Sequence, residues 1–314
     1  MDLSIVIVNW NTRDLLRGCL TSLPAAVGDV TYEVVVVDNA SADDTSAMVR
    51  AEFPEWILLD AGDNLGFARA NNLAFPTTKG RYILLLNPDT VCPPGSLSRL
   101  VTFADAHPGC GGFGPLLTDA TGQPIITYGH FPAARFHWLW PLGLLSCGPR
   151  WARAFHFVYI PRHGEHSRPV PYVAGACFLI PRPALERVGF LDDRFFLYFE
   201  ETDWCRRAWS ADLPIYLCMD SSVVHLEGKA AELVSRFSLR QFQHSFRLYL
   251  AKHRGPRAVT TFRGALWWEY AAKAVLRSLV PWDRRRNAVL ARRYAYIARL
   301  QCARDIVAEP PTRP

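Results

Sequence analysis

Short, uninterrupted apolar runs alternate with helix-like segments through the first ninety residues. Residues 3–10 (LSIVIVNW) read as a buried strand, and residues 12–23 then place Leu15, Leu16, Cys19, Leu20 and Leu23 at a helical period. The β-branched run at 32–41 (YEVVVVDNAS) predicts a second strand that ends in a polar turn. A helix over 42–53 follows, started by Ser41, with Asp43 and Asp44 near its amino end. Residues 56–60 and 82–89 predict two further strands, with a helix over 66–75 between them. Strands that lack polar alternation belong to a parallel sheet covered by helices on both faces, so the pattern predicts an α/β domain. Ligands of such sheets lie beyond the carboxyl ends of the strands. Asn9, Asn11, Asp38, Asn39, Asp60 and Asp89 all fall there, along one expected crevice.

Between about 110 and 170 the pattern loosens into Gly, Pro and aromatic residues, read as an acceptor-side insertion with no assigned secondary structure. Order returns over 172–209 as a strand, a helix and a carboxylate-rich segment. After His225 the chain reads as helical and basic.

Composition sharpens this division. At 314 residues and 50% apolar content the chain can bury a large core, and 12% aromatics with ten tryptophans point to sugar stacking or a membrane-facing surface. Residues 231–314 hold 17 Lys/Arg against 5 Asp/Glu, a net of +12, which leaves −6 for residues 1–230 out of the overall +6. The tail alone is therefore drawn to anionic surfaces. Eight scattered cysteines form no CxxC pair and no zinc-like spacing, so they read as reduced core residues. The amino terminus enters a strand at once, with no n-region or h-region, so no secretory signal is expected and a cytoplasmic location is. No uncharged apolar stretch reaches the roughly 18 residues that a spanning helix needs.

Several polar groups stand where an ordinary fold would not require them. Asp38 and Asn39 close a strand of four valines; a carboxylate here can bind a base or ribose, or cap the next helix. In DNLGFARANN (63–72), Asn64, Gly66, Arg69, Asn71 and Asn72 replace the usual Leu, Glu and Lys. Gly66 allows close backbone approach to a ligand and Arg69 can meet diphosphate charge, whereas the asparagines also fit a cap and a polar surface. Asn87-Pro88-Asp89 presents a carboxylate on a proline-fixed turn, suited to a hard divalent cation or to an ordinary acidic turn. Glu200, Glu201 and Asp203 crowd together behind aromatic residues, with Arg206 and Arg207 following. Mutual repulsion there favours a general base, and helix-terminal acids with i,i+4 ion pairs are the other reading. His225 ends a strand and fits either a second metal ligand or a structural role.

Taken in order, SIVIVNWN, VVVVDNASADDT, NLGFARANN, LLLNPDT, VAGACFLIPR, FFLYFEETDWCRRAW and VVHLEG resemble the family-two inverting glycosyltransferases, particularly their rhamnosyltransferase-like branch. The resemblance spans residues 3 to about 230. It implies a Rossmann-like nucleotide-sugar-binding domain of GT-A type, Mg²⁺ or Mn²⁺, and single-displacement transfer with inversion. It implies that Asp38 binds the nucleoside and that Asn64, Gly66 and Phe67 line the nucleotide pocket. Asp89 matches the last acid of the DxD metal motif, with Asn87 in place of the first, and His225 matches a late metal-binding histidine. Glu201 matches the usual catalytic base, with Glu200 as the alternative and Asp203 closing the motif. Asn9, Asn11, Asn39, Arg69, Asn72 and Asn87 complete the expected donor pocket.

These readings make residues 1–230 the catalytic domain, with 1–109 nucleotide-binding and 110–230 on the acceptor side, and 231–314 a helical basic tail. The expected donor is a dTDP-, UDP- or GDP-sugar, with rhamnose favoured by the resemblance. The expected acceptor is a glycan or polyprenyl-linked sugar in cell-surface polysaccharide synthesis. Trp267, Trp268, Tyr270, Leu276, Trp282 and Tyr294 mix with Arg277, Arg284, Arg285, Arg286, Arg292 and Arg293, a composition suited to peripheral attachment at the inner membrane face or to a helical cap. No nucleic-acid motif is present. The rival readings are a non-catalytic nucleotide-sugar-binding scaffold and a nucleotidyltransferase, and the latter would open with a Gly-rich phosphate loop that VNWNTRDLL lacks.

Overall fold

The computed structural model describes residues 1–132, 158–162, 164–226, 236–279 and 284–303. Most of the irregular 110–170 insertion beyond residue 132, together with Trp282 and the side chains of Arg284 and Arg286, lies outside the described residues.

The elements run β1 (Leu3–Asn9), α1 (Arg13–Val27), β2 (Tyr32–Asp38), α2 (Thr45–Glu52), β3 (Ile57–Asp60), α3 (Gly66–Ala74), β4 (Tyr82–Leu86), β5 (Thr90–Val91) and α4 (Ser96–Asp105). They continue as β6 (Gly112–Thr118), β7 (Tyr128–Gly129), β8 (Val158–Tyr159), β9 (Arg168–Val170), β10 (Tyr172–Val173), β11 (Cys177–Pro181), α5 (Arg182–Val188), α6 (Glu200–Ser210) and β12 (Ile215–His225). Three long helices end the described chain: α7 (Arg236–Arg254), α8 (Pro256–Leu279) and α9 (Arg284–Cys302).

The main sheet has the order β3-β2-β1-β4-β11-β6-β12-β5, with β9 paired to β12. Strands β1 to β4 are parallel, as is the β6–β12 pair, whereas β11 runs antiparallel between β4 and β6. Alternate residues of β1 explain its unbroken apolar run. Leu3, Ile5 and Ile7 belong to a cluster with residues of α1, α2 and α4, while Val6 and Val8 belong to another with residues of α3, α5 and α6. Both faces of the strand are thus removed from water. Helix α1 extends past the predicted end at Leu23 because Ala26 and Val27 carry its buried stripe one turn further, with Pro24 inside the helix.

The second helix begins later than the sequence predicts. Asp38 and Asn11 accept hydrogen bonds from the backbone N–H groups of Ser41 and Ala42, and Ala40 and Asp44 take left-handed conformations at φ of 64° and 60°. Those bonds hold residues 39–44 as a polar loop, so Ser41 is not the helix cap and α2 starts at Thr45.

The described chain divides into two compact units, one built on residues 1–131, 158–162 and 164–226 and the other on residues 236–279 and 284–303. In the second, Arg263 donates to the Gln301 carbonyl, Tyr270 lies 5.8 Å from Tyr294, and Arg277 donates to Asn287. Each step of seven residues forward in α8 pairs with a step of seven backward in α9, which defines an antiparallel helical hairpin. Among the described residues no helix is long and apolar enough to cross a membrane.

Phe178, the second residue of β11, is fully buried and meets Trp204 of α6 edge-on at 5.6 Å. Phe178→Ala is expected to cost about 3–5 kcal/mol of stability, read from denaturant unfolding, because a central strand cannot close the cavity.

Candidate active site

The ends of the parallel strands lie level with one another. Asn9 is in register with Asp38, and Asp38 with Asp60, so three polar side chains end three adjacent strands on one line. Asn9 is buried. Its amide donates to the hydroxyls of Ser41 and Thr45, and its carbonyl accepts from the Thr12 hydroxyl. Asp38 accepts from the Ser41 N–H at 3.0 Å and from the Ser46 hydroxyl. Asn39 accepts from the Leu65 N–H and donates to Asn64 and to the Gly66 carbonyl. Asn9, Asn11, Asp38 and Asn39 therefore knit the loops after β1, β2 and β3 into one polar floor.

The turn into α3 brings Gly66 against the segment preceding α6. A Cβ at that position would sit 2.3 Å from the Phe196 carbonyl oxygen, and the Phe67 N–H donates to the same oxygen at 2.6 Å. The close approach that glycine allows there is to the segment preceding α6. Asn64 accepts from the Gly66 N–H, Phe67 is half-buried, and Asn71 donates to the Phe67 carbonyl. Asn72 exchanges two hydrogen bonds with the backbone of Leu191, which anchors the loop after α5. Arg69 is exposed and makes no ion pair among the described residues.

Strand β4 stops at Leu86, three residues short of the predicted Asp89. The Asn87 N–H donates to the Ala176 carbonyl, and the Asn87 carbonyl accepts from the Thr90 hydroxyl at 2.8 Å, which turns the chain at Pro88. Thr90 and Val91 then pair antiparallel with His225 and Val224, and the Leu226 N–H donates to the Asp89 carbonyl. This pairing brings together two residues 136 positions apart: Asp89 Oδ1 lies 3.1 Å from His225 Nε2. Both side chains retain some solvent exposure. A carboxylate oxygen and an imidazole nitrogen side by side at a strand end fit a hard divalent cation that draws its remaining ligands from phosphate and water. Among the described residues no group of three or more His, Cys, Asp or Glu could hold a metal ion. The neighbouring Cys19 thiol is pushed up to about 12 by burial, so it is no nucleophile.

Helix α6 opens with Tyr198 and Phe199 in left-handed conformations at φ of 71° and 70°. That entry sets three acids in its first turn with three different environments. Asp203 is fully buried and pairs with Arg207 at 2.9 Å, and Arg207 also donates to the carbonyls of Val188 and Phe190. Asp203 thus follows the ion-pair reading. Glu200 is 5% exposed, with its Oε2 buried and without a hydrogen bond among the described residues. Burial first, then repulsion from Glu201, pushes its carboxyl well above the usual range. Glu201 is half-buried, accepts from the Thr202 hydroxyl at 3.0 Å, and is also raised, chiefly by burial.

Gly175 supplies a link that sequence reasoning missed. Its absent Cβ would lie 3.4 Å from Glu201 Cγ, and the next residue, Ala176, accepts the Asn87 N–H. One short strap, Gly175-Ala176, thus touches Glu201 on one side and the Asn87-Pro88-Asp89 turn on the other. The glycine in VAGACFLIPR was the available signal.

Residues 4–132 match the family model for glycosyl transferase family 2. The N-acetylglucosaminyl-diphospho-decaprenol L-rhamnosyltransferase of Mycobacterium tuberculosis is 28% identical over 292 residues, covering 88% of this chain and 91% of that protein. A low-salt glycan biosynthesis hexosyltransferase of Haloferax volcanii is 23% identical over 253 residues, covering 79% and 72%. Among solved structures, a mannosyltransferase from Pyrobaculum calidifontis in complex with GDP-Man and Mn²⁺ superposes with a TM-score of 0.56 at 17% identity, covering 95% of this chain and 86% of that one. That likeness shows a GT-A fold.

Because the Glu200 carboxyl holds its proton more tightly when folded than when unfolded, stability falls as pH rises above the ordinary carboxylate value near 4.5. Glu200→Gln is expected to remove most of that slope and to raise the thermal midpoint at pH 7 by about 2–4 °C, with little change at pH 4. Melting curves across that range check it. Gly66→Ala is expected to lower the midpoint at every pH, since the Phe196 backbone must move.

Proposed function

From the premise that this chain carries a glycosyl transferase family 2 domain and is a glycosyltransferase of rhamnosyltransferase-like type, we propose the following reaction. The enzyme moves a sugar from a nucleoside diphosphate donor to a hydroxyl of a lipid-linked or glycan acceptor, by metal-dependent single displacement with inversion. The observation that supports this reading is the strap Gly175-Ala176, which adjoins Glu201 at Gly175 and the turn leading to Asp89 at Ala176.

Asp89 and His225 would hold the divalent cation, which supplies charge neutralisation for the departing diphosphate. Glu201 accepts the proton of the acceptor hydroxyl as that oxygen forms its bond to the anomeric carbon. The bond from that carbon to the diphosphate oxygen breaks with its electron pair leaving on the nucleotide. Burial suits Glu201 to the base role, since its raised proton affinity strengthens it as an acceptor, while Thr202 fixes one of its oxygens. Glu200, more deeply buried beside it, is kept as the second candidate. The floor formed by Asp38, Asn39 and Asn64 receives the nucleoside, with Phe67 beside it and Arg69 exposed toward the diphosphate's charge.

Similarity to the mycobacterial rhamnosyltransferase supports L-rhamnose as the transferred sugar and a lipid-diphosphate-linked sugar as the acceptor. Similarity to the hexosyltransferase of low-salt glycan biosynthesis supports a place in glycan synthesis more generally.

A thermal-shift series with dTDP-rhamnose, UDP-sugars and GDP-sugars, each with and without Mn²⁺, identifies the donor, because a ligand at 100 times its Kd stabilises the fold by about 2.7 kcal/mol. The expected result is one nucleotide class whose shift depends on metal, and no shift with any of them sinks the reading. Glu201→Gln is expected to lower transfer at least about 1,000-fold with donor binding nearly unchanged, measured by turnover and by the same shift. Asp89→Ala is expected to abolish the metal-dependent part of donor affinity. Survival of turnover in Glu201→Gln would move the base to Glu200.

A further inference from the structure

The helical hairpin carries an apolar stripe that its own packing leaves uncovered. Helix α8 turns Phe262, Ala265, Leu266 and Glu269 inward, and Arg263, Tyr270 and Arg277 reach α9. At 100° per residue the face turned away from Arg263, Tyr270 and Arg277 carries Trp268, Ala272, Val275 and Leu279, with Leu276 at its edge. Trp268 is 66% exposed, Val275 58%, Leu276 63% and Leu279 72%. Trp267, also exposed, meets Trp268 edge-on at 4.9 Å. A soluble helix ordinarily places polar residues on such a face.

The net charge of the helical unit decides what covers the stripe. Residues 236–279 and 284–303 hold 15 Lys/Arg against a single acid, Glu269, among the described residues. Glu269 is buried and paired with Lys273, so it presents no negative charge to a partner. Arg285, Arg292 and Arg293 are exposed. A second copy of so basic a unit would be repelled, whereas a surface that is apolar within and anionic at its face satisfies both features together.

We propose that the exposed α8 face, Trp268 to Leu279, is a bilayer-docking surface that lies in the headgroup region of an anionic phospholipid membrane, to which the basic helical unit as a whole is drawn. The helix rests on the membrane and does not cross it. This inference does not depend on the transfer reaction, because binding to lipid can be read without donor or acceptor.

The test is co-sedimentation of the full chain with vesicles of phosphatidylglycerol and phosphatidylcholine against vesicles of phosphatidylcholine alone. The expected result is binding to the anionic vesicles, weakened at least about tenfold when the Debye length is cut from about 10 Å to about 3 Å by salt. Leu276→Ser with Leu279→Ser is expected to weaken it about tenfold or more with an unchanged melting temperature, since both side chains already face solvent. Should that double variant melt early, Arg292→Glu with Arg293→Glu serves in its place, with the same expected loss. Binding equal for neutral and anionic vesicles, no binding at low salt, or variants that bind like the wild type would each overturn the proposal. So would concentration-dependent self-association that the leucine variant abolishes, which would assign the stripe to a second copy.

Discussion

Strand β11 is the constraint on which the first unit depends. It enters the sheet antiparallel between β4 and β6, with Cys177 opposite Leu86 and Leu179 opposite Phe113. A one-residue slip would turn Phe178 away from Trp204 and place its neighbours on the wrong face. The same register carries the Ala176 carbonyl to the Asn87 N–H and lays Gly175 beside Glu201. Backbone pairing in one buried strand thereby sets the spacing of carboxylates that come from two different halves of the sequence. Hydrophobic burial on both faces holds that pairing, because no polar alternative exists for the strand once water is excluded.

The three acids of α6 show how far environment separates identical chemistry. Asp203 is as buried as any side chain in the molecule, yet Arg207 satisfies it and ties the helix to the loop after α5. Glu200 has comparable burial and an oxygen with no partner among the described residues, so its charged form is disfavoured. Glu201 lies between these extremes, partly open and held by one hydroxyl. An unsatisfied buried carboxylate destabilises the fold, and its presence beside the proposed base places that strain where it can affect proton affinity.

The helical unit buries several polar groups among its apolar ones and leaves part of its apolar surface exposed. Its interior holds Gln243, Arg247, Glu269 and Gln301; Arg247 donates to the Leu300 carbonyl and to Gln301, and Gln301 donates to Gln243. Burial lowers Arg247 to about 10. Its exterior carries tryptophan, valine and leucine. Polar groups inside are held by specific hydrogen bonds, whereas apolar groups outside await a partner that removes them from water.

The sequence alone determined the class of the fold and the level of the crevice. Unbroken apolar strands require cover on both faces, and the residue at each strand end is read by counting along the chain, as with Asn9, Asp38 and Asp60. The basic, aromatic tail was equally legible, because charge and composition need no coordinates. Tertiary structure decided what long-range pairing controls. Asp89 meets His225 only because β5 and β12 align across 136 residues, Gly66 makes room for the Phe196 carbonyl, and Asn72 bonds to the Leu191 backbone. It also decided which of three neighbouring acids is paired, which is orphaned and which is open. Local patterns carry periodicity and burial tendency, but the partner of a buried charge is set by whichever distant segment the packed sheet delivers to it.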